Sequence, residues 1–256
     1  MKISNVAVQL YTLRDFCQTP SDLAASLKKL REIGYEAIQV SGIGPISYEE
    51  VRTIASGEGL TICATHESSE MILDQPELVV DRLKTLGCLH TAYPYPAGVD
   101  FSQADAVKRL AEKLDRSGAI LAESGLILSY HNHHHEFLKV NGTTILEQLY
   151  ASTQPSHLAA ELDTYWVQYG GGNPVEWCKK MAGRMRCLHI KDYAINREAK
   201  VVFAEIGHGN LDFHAIIAAA EDGGCEWFIV EQDSCPGDPF DSLAASFEYI
   251  SNSLVS

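Results

Sequence analysis

At 256 residues the chain is long enough for one large α/β domain or two small ones, and 46% apolar residues suffice for a substantial core. The formal net charge of −14 disfavours binding to nucleic acid or to an acidic membrane, because both need a basic protein surface. Small molecules and cations are therefore the expected partners.

The stretch from Met1 to Arg14 lacks the long apolar core of a targeting segment, and the sequence has no apolar run of about 18 residues. The seven cysteines are odd in number and form no CxxC pair, and many of them lie inside apolar runs. Reduced, mostly buried thiols of this kind are typical of cytoplasmic proteins. We therefore predict a cytoplasmic protein that binds no membrane.

Short apolar runs alternate with helical patterns along the chain. The first run leads into Gln9, Tyr11 and Thr12, polar groups suited to lining a pocket, and the helix after it begins at the N-cap Thr19 and stops at Gly34. This unit recurs. The predicted strands are 4–10, 37–40, 60–64, 88–92, 126–130, 158–162, 185–190 and 227–230, and the predicted helices begin near 20, 47, 76, 102, 143, 173, 211 and 239.

Eight strands that alternate with eight helices in about 250 residues predict a (β/α)₈ TIM barrel, an α/β fold. No Pro/Ser-rich linker or change in composition divides the chain, so we expect a single domain over residues 1–256. A doubly wound open sheet is the alternative. It is disfavoured because the first strand-helix loop carries no glycine fingerprint for a dinucleotide.

The segment from Tyr130 to Glu136 holds four of the ten histidines and directly follows the fifth predicted strand. Side chains alternate faces along a strand, so His131 and His133 would point the same way at its end. A metal or acid/base site explains this density, since imidazole is a common ligand and titrates near neutral pH. A polar loop of solvated histidines is the alternative.

Polar side chains also end the other predicted strands, and functional residues of a TIM barrel sit at the carboxyl ends of its strands. A mixed set of histidines and carboxylates suits a divalent cation such as Mn²⁺, Mg²⁺, Co²⁺ or Zn²⁺. The residues concerned are His66 and Glu67, His131 and His133, Glu161 and Asp163, His189 and Lys191, and Glu231 and Asp233.

Each member of this set has a structural alternative. Asp163 could cap a turn, and His189 could be a core histidine with satisfied hydrogen bonds. Glu231 is harder to explain in this way, because a carboxylate directly after an apolar strand is costly to bury without a partner. The loop around His208 is either a tight turn or a phosphate cradle, and Trp166 is placed to wall a sugar.

Taken together, these segments resemble the xylose-isomerase-like TIM-barrel superfamily, the sugar phosphate isomerase/epimerase group that includes AP-endonuclease family 2-like proteins. The resemblance covers essentially the whole chain. It rests on Val8-Gln9-Leu10-Tyr11-Thr12-Leu13-Arg14, Tyr130-His131-Asn132-His133, Glu161-Leu162-Asp163-Thr164, Leu188-His189-Ile190-Lys191-Asp192, Gly207-His208-Gly209-Asn210-Leu211-Asp212 and Val230-Glu231-Gln232-Asp233.

The resemblance implies a metal held by Glu, Asp, His and Glu from strands five to eight. The last three fall on Asp163, His189 and Glu231, whereas strand five has His131 in place of the family's glutamate. We expect His131, in preference to His133, to complete the metal site. Glu136 could restore the missing carboxylate if its loop folds back.

The first functional hypothesis is a metal-dependent sugar or sugar phosphate isomerase or epimerase, in which a proton next to a carbonyl is removed and the cation stabilises the enediolate. Glu231 is the expected base. His133, Glu136 or Lys191 would return the proton or polarise the carbonyl, and the expected substrate-binding residues are Gln9, His66, Trp166 and His208.

A keto-sugar or keto-inositol dehydratase of the same superfamily is the second hypothesis, because it shares the proton abstraction. An AP-endonuclease-like enzyme is disfavoured by the acidic charge and by the lack of the further histidines that a three-zinc site needs. A non-catalytic sugar-binding barrel should lack a complete ligand set. The expected partner is a small carbohydrate, with no nucleic acid and no membrane, and a homo-oligomer is compatible with the sequence.

Overall fold

Eight parallel strands close into a barrel in the computed structural model, which describes residues 1–255. Each strand pairs with the next along the chain, and the eighth returns to the first. The barrel strands are β1 Val6–Gln9, β2 Ala37–Val40, β3 Thr61–His66, β4 His90–Tyr93, β5 Ile127–His131, β6 Ala159–Asp163, β7 Met185–Ile190 and β8 Trp227–Val230.

Helices surround the barrel, and several begin with the signals that the sequence carries. The Thr19 side chain caps the first helix, and proline opens four of the helices. The helices are α1 Pro20–Ile33, α2 Tyr48–Gly57, α3 Ser69–Asp74, α4 Pro76–Leu86, α5 Ala104–Glu123, α6 Ile145–Ala151, α7 Thr164–Tyr169, α8 Pro174–Lys180, α9 Phe213–Asp222 and α10 Pro239–Tyr249.

The predicted TIM barrel is confirmed, and every predicted strand lies within two or three residues of the observed one. The sequence patterns missed the short helices α3 and α7 and two antiparallel hairpins, Lys139–Val140 with Thr143–Thr144 and Asp192–Ile195 with Val201–Ala204. These elements lie in the connections, where short polar segments have no periodicity to read. None of the helices among residues 1–255 combines the length and hydropathy that a membrane crossing requires.

The barrel interior has two layers of different character. Small apolar side chains fill the lower layer, where Ala7, Ala37, Cys187 and Ile229 belong to one buried cluster. Each of these residues lies two positions before a polar residue on the same strand, and side chains two apart share a face. The upper layer therefore receives the polar set Gln9, Gln39, His189 and Glu231, all buried.

All seven cysteines lie within the described residues 1–255, and none is in a disulfide. Five of them are buried, and burial raises the pKa of the Cys17 thiol to about 11 and that of Cys88 to about 12. These groups are protonated at neutral pH, so they behave as small apolar side chains.

Helix α5 approaches the segment before β6 at Gly118, where a Cβ atom would lie 1.8 Å from the carbonyl oxygen of His157. An alanine inside a helix normally stabilises by about 1 kcal/mol over glycine. We predict the opposite for Gly118→Ala, a loss of roughly 1–3 kcal/mol from overpacking and a lower Tm in a thermal melt. The matched control is Gly57→Ala in α2, where a Cβ meets nothing within 4 Å and the Tm should not fall.

Glu147 closes a capping box at the start of α6, since its Oε2 accepts the Thr144 N–H at 2.8 Å, and it also pairs with Lys180. Hydrogen bonds from Lys180 and Thr144 lower the pKa of Glu147 to about 2. The ionised Glu147 therefore stabilises the folded state fully above pH 4.5, its ordinary pKa, and this stabilisation is lost as the pH falls toward 2. Glu147→Gln should be less stable than wild type in urea at pH 7, and that difference should shrink below pH 4.5; a constant difference would contradict the assignment.

Candidate metal centre and active site

A cavity of about 440 Å³ opens at the carboxyl ends of the barrel strands. Its wall combines ionisable groups from β3, β5, β7 and β8 with residues of the loops after β1, β2 and β4. The lining residues are Tyr11, Ser41, His66, Pro94, Tyr95, His131, His133, Lys191, Glu231 and Asp233. The sequence patterns had not singled out Ser41, Pro94 or Tyr95, whose only signal is a position just beyond a predicted strand.

The four predicted metal ligands lie together, and two of them, His131 and Glu231, line this cavity. His131, Asp163, His189 and Glu231 come from the consecutive strands β5, β6, β7 and β8, and each offers a ligand atom within 4.8 Å of the others. All four are buried. Two carboxylates and two imidazoles match the oxygen and nitrogen donors that a divalent transition-metal cation takes in proteins, so the residues present fit such a cation.

Lys191 lies beside two of these ligands and is 1% exposed. Its Nζ is 2.8 Å from Glu231 Oε2, 3.0 Å from Asp163 Oδ2 and 3.2 Å from Asp233 Oδ1. Burial by itself would lower the pKa of Lys191, but the three carboxylates hold it well above its usual range. Burial would likewise raise the pKa of Glu231, but Lys191 and His189 keep it well below its usual range. The two groups therefore face each other as ammonium and carboxylate.

His189 is fully buried and has a carboxylate on each side of its ring. Nδ1 is 2.8 Å from Glu231 Oε2, and Nε2 is 2.7 Å from Gln39 Oε1 and 3.1 Å from Glu161 Oε1. Burial alone would lower the pKa of His189, but Glu161 and Glu231 raise it to about 10. The fully buried ring, with partners on both nitrogens, fits the alternative of a core histidine with satisfied hydrogen bonds, and its Nδ1 contact joins it to Glu231, which lines the cavity.

Asp163 caps α7 and leaves its second carboxylate oxygen for the predicted ligand role. Its Oδ1 accepts the Trp166 N–H at 2.9 Å and so caps α7, whereas its Oδ2 faces Lys191. Its backbone N–H donates to Asn132 Oδ1 at 3.1 Å, which ties the ends of β5 and β6 together. A cap and a ligand are compatible because they use different oxygens of one carboxylate.

Glu161 forms a second cluster beneath these ligands, and sequence patterns gave it no role beyond a polar strand end. His66 Nε2 lies 2.5 Å from its Oε1, His131 Nδ1 lies 3.3 Å from the same oxygen, and Gln39 Nε2 donates to its Oε2 at 2.8 Å. Burial would raise the pKa of Glu161, but His189 and His66 hold it well below its usual range. The signal in the sequence was its period-two spacing from Asp163, which places both on the interior face.

The histidine loop after β5 folds back, but its carboxylate does not reach the four ligands. Glu136 is fully buried and accepts hydrogen bonds from Tyr130 Oη and from the His133 backbone N–H, both at 2.9 Å. It lies with His133 and His135 in a separate cluster. The fold-back that would have made Glu136 a metal ligand therefore turns it toward its own loop, where it positions His133. Burial lowers the pKa of His133 to about 3, so this imidazole is neutral.

The predicted substrate-binding residues occupy different places. His66 reaches the cavity, but its Nδ1 lies 3.3 Å from Gln9 Nε2 and its Nε2 contacts Glu161, so both nitrogens already have partners. Gln9 is fully buried below it. Trp166 is half-buried beside the cavity, where its ring centroid lies 5.4 Å from that of His133 and 5.6 Å from Lys191 Nζ.

The expectation that all of the polar strand ends converge is wrong for Glu67. This carboxylate turns to the outside of the barrel, where it accepts from Tyr48 Oη at 3.1 Å and pairs with Arg82 at 3.2 Å. His208 is exposed and lines a separate shallow depression with Glu205 and Asp238. The structure therefore does not bring His208 to the cavity.

The glycine loop around His208 is a tight turn built on Asp192. Asp192 Oδ2 accepts the backbone N–H groups of Gly207 and Gly209 at 2.9 Å, and its Oδ1 accepts those of Tyr193 and Leu211. The loop amides that a phosphate would need are thus already bonded to a carboxylate. Of the two alternatives for this motif, the structure shows the tight turn.

Comparison with known proteins identifies relatives of this chain. An inosose dehydratase from Geobacillus thermodenitrificans is 30% identical over 158 residues, which make up 55% of this chain and 52% of that protein. The chain spans about half the length of the curated relatives it matches.

Two solved structures resemble the whole barrel. A sugar phosphate isomerase/epimerase from Parabacteroides distasonis superposes with a TM-score of 0.84 at 22% identity, covering 99% of this chain and 95% of that one. A xylose isomerase-like TIM barrel protein from Mycobacterium smegmatis in complex with magnesium has a TM-score of 0.76 at 16% identity, with 96% and 95% covered. Identities this low show the fold alone.

The sequence profile of xylose isomerase-like TIM barrels matches residues 27–252, from within α1 to the short π-helix after α10. This segment contains β5 to β8, the four strands whose ends carry the predicted metal ligands. The chain belongs to the xylose isomerase-like TIM barrel family.

Proposed function

We propose that this protein is a divalent-metal-dependent carbohydrate enzyme that removes a proton from the carbon next to a carbonyl group. The observation that carries the proposal is the ionised Glu231 carboxylate at the cavity floor, held 2.8 Å from the Lys191 ammonium and among the other three predicted ligands. A carboxylate fixed on a rigid strand end is placed to act as a general base, and the buried ammonium beside it is placed to give a proton to a departing hydroxyl.

A cation held by His131, Asp163, His189 and Glu231 would supply Lewis-acid stabilisation of the negative charge that develops on oxygen. Mn²⁺, Mg²⁺, Co²⁺ and Zn²⁺ remain the candidates. The family glutamate of strand five is replaced by His131, so the proposed set contains one imidazole more than the family pattern and one carboxylate fewer.

Glu231 and Lys191 each carry out one of the two proton transfers. Glu231 takes the proton from carbon, and the electron pair left behind forms a double bond as the hydroxyl on the next carbon departs. Lys191 gives its proton to that hydroxyl, which leaves as water. Because the two groups are adjacent, both protons are handled on one face of the substrate.

This arrangement favours elimination of water over isomerisation, and so favours a keto-sugar or keto-inositol dehydratase. An epimerase needs a second proton carrier on the other side of the reacting carbon, a role that the resemblance assigns to the strand-five glutamate. This chain has His131 at that position and the neutral His133 two residues on. The inosose dehydratase relative supports the same choice. Isomerisation stays as the second candidate, because His133 lines the cavity and a neutral imidazole can carry a proton.

The substrate we propose is an uncharged keto-carbohydrate. The cavity is of a size for a single sugar or cyclitol ring, and Tyr11, Tyr95 and Trp166 supply aromatic surface near its mouth. Apart from histidines, Lys191 is the only cationic residue in the lining, and three carboxylates already contact it. A phosphate group would meet the carboxylates Glu231 and Asp233 and no ammonium or guanidinium group without a carboxylate partner. A cytoplasmic location and the absence of nucleic-acid partners stay predictions.

Glu231→Gln should abolish both elimination and exchange of deuterium from solvent into the carbon beside the carbonyl. The amide is nearly isosteric with the acid, so the fold should persist, whereas loss of the base should cost roughly 10²- to 10⁴-fold in rate. Wild type and variant are compared by NMR wash-in over a panel of keto-sugars and keto-inositols, with metal content measured in parallel.

The matched control for this experiment is Glu226→Gln, which removes a carboxylate from the other end of the barrel, where it pairs with Arg186 and His90. That variant should exchange at the wild-type rate. Product analysis of the wild type separates water loss from isomerisation. Metal-loaded wild type that exchanges no proton in any ketone tested would refute the proposed function.

Lys191→Met should lower the stability of the metal-free protein and should make its stability depend more strongly on bound metal. The change leaves Asp163, Glu231 and Asp233 without their shared ammonium, and breaking a buried pair of this kind costs about 3–5 kcal/mol. Thermal melts in EDTA should show a lower Tm than wild type, and Mn²⁺ should raise the Tm of the variant by more than it raises that of wild type.

The control for this second experiment is Lys113→Met, which removes an exposed ion pair with Asp74 and should leave both melts unchanged. An Mn²⁺ response of Lys191→Met no larger than that of wild type would mean that the cation does not bind among these carboxylates.

A further inference from the structure

The polar layer beneath the predicted ligands contains a carboxylate that the proposed reaction does not use. Glu161 is 1% exposed, and its oxygens contact side-chain nitrogens of His66, His189 and Gln39 and, at the longer distance of 3.3 Å, of His131. We propose that Glu161 is a positioning residue that keeps Nε2 of His66 and of His189 protonated, and thereby leaves His189 Nδ1 as the nitrogen that faces the cation. This inference rests on the proposed function, because it concerns a ligand of the same site.

The donors and acceptors of this layer fit together in a single pattern. An ionised carboxylate has no hydrogen to give, so His66 Nε2 at 2.5 Å and Gln39 Nε2 at 2.8 Å both donate to Glu161. Gln39 Oε1 therefore accepts, from His189 Nε2 at 2.7 Å and from Gln9 Nε2 at 2.9 Å. The second hydrogen of Gln9 Nε2 points to His66 Nδ1 at 3.3 Å, which accepts.

This pattern fixes the orientation of the ligand ring. His189 Nε2 donates to Gln39 Oε1 in the polar layer, and His189 Nδ1 lies 2.8 Å from Oε2 of Glu231, which lines the cavity. Histidines that bind metals usually donate their second N–H to a carboxylate or carbonyl oxygen, which fixes the tautomer and strengthens the ligand. The His66 ring lies parallel to the His189 ring, with 3° between their planes and 5.4 Å between centroids, so it supports the same orientation.

Replacing Glu161 with glutamine tests the pattern because an amide offers one acceptor oxygen where the carboxylate offers two. If that oxygen keeps the bond from His66, the new NH₂ group faces the NH₂ group of Gln39, which must turn over. The turned amide presents its NH₂ group to His189 Nε2. That nitrogen then loses its short bond to Gln39 and keeps only the longer contact to the oxygen of residue 161, which is 3.1 Å in wild type. The hydrogen of a neutral His189 is no longer held on Nε2 and moves to Nδ1, where it opposes metal binding.

The exchange of the two side chains restores every partner. In the double variant Gln39→Glu/Glu161→Gln, the carboxylate on β2 accepts from His189, from Gln9 and from the new amide, and the amide oxygen on β6 accepts from His66. Both imidazoles keep a hydrogen on Nε2. The double variant also keeps the net charge of the layer, so it remains informative if the single variant does not fold.

The experiment measures Mn²⁺ affinity by EPR titration and the ring N–H resonances of ¹⁵N-histidine-labelled, metal-free protein by NMR. Glu161→Gln should bind Mn²⁺ about 10- to 100-fold more weakly than wild type, and the double variant should regain most of that loss. In wild type the short contact to Glu161 should give a downfield proton on Nε2 of His66, and Glu161→Gln should shift it upfield. Glu67→Gln is the matched control, since it neutralises a neighbouring buried carboxylate that Tyr48 and Arg82 contact, and it should change neither readout.

Unchanged Mn²⁺ affinity in Glu161→Gln, or a wild-type His66 protonated on Nδ1 alone, would overturn the inference. A folded double variant that binds Mn²⁺ as weakly as the single one would also overturn it, because Glu161 would then be a direct ligand. Failure of wild type to bind Mn²⁺ would count against the proposed function instead, and the NMR comparison, made without metal, would still decide the role of Glu161.

Discussion

The burial of charge at the mouth of the barrel constrains the rest of the structure. Glu161, Asp163 and Glu231 are all at most 5% exposed, and an isolated carboxylate removed from water to this degree costs several kcal/mol. Lys191 and His189 compensate them at distances of 2.8 to 3.1 Å. Such contacts need side chains from several strands to be held in register, which a closed barrel of parallel strands provides.

The same constraint explains the two layers of the barrel interior. Long polar side chains such as Gln9, Gln39 and Glu161 can meet at the barrel axis only if the layer below them is narrow and filled. Ala7, Ala37, Cys187 and Ile229 fill it with little volume each. The layer beneath the cavity is therefore a network of hydrogen bonds supported by a small apolar cluster, and Glu231 and His131 lie above that network.

Sequence patterns predicted the strands well because each is a short apolar run between turn signals, and buried barrel strands have little else to distinguish them. They also predicted that His131, Asp163, His189 and Glu231 meet at one end of the barrel, since all parallel strands of a barrel end on one side. They did not predict which way adjacent side chains turn. His66 and Glu67 follow one another, yet one faces the cavity and the other faces Arg82.

The partners of Glu161 were beyond sequence reasoning for a related reason. The hydrogen bond between Gln39 and His189 joins residues 150 positions apart, and no local pattern records it. Glu136 is the opposite case, because its partners Tyr130 and His133 are close to it in sequence. Even so, only the folded loop shows that its carboxylate accepts hydrogen bonds from these two residues. Both cases concern the choice of a polar partner, which depends on geometry and not on periodicity.

The tie between Asp192 and the glycine loop has a thermodynamic consequence for ligand binding. Because an internal carboxylate already orders the amides of Gly207, Gly209 and Leu211, this loop after β7 does not need a ligand to organise it. A substrate that enters therefore avoids the entropy cost of ordering the loop, which in loops that close on a ligand offsets part of the binding enthalpy. The binding enthalpy measured by calorimetry should thus reflect desolvation and direct contacts, with little contribution from ordering of this loop.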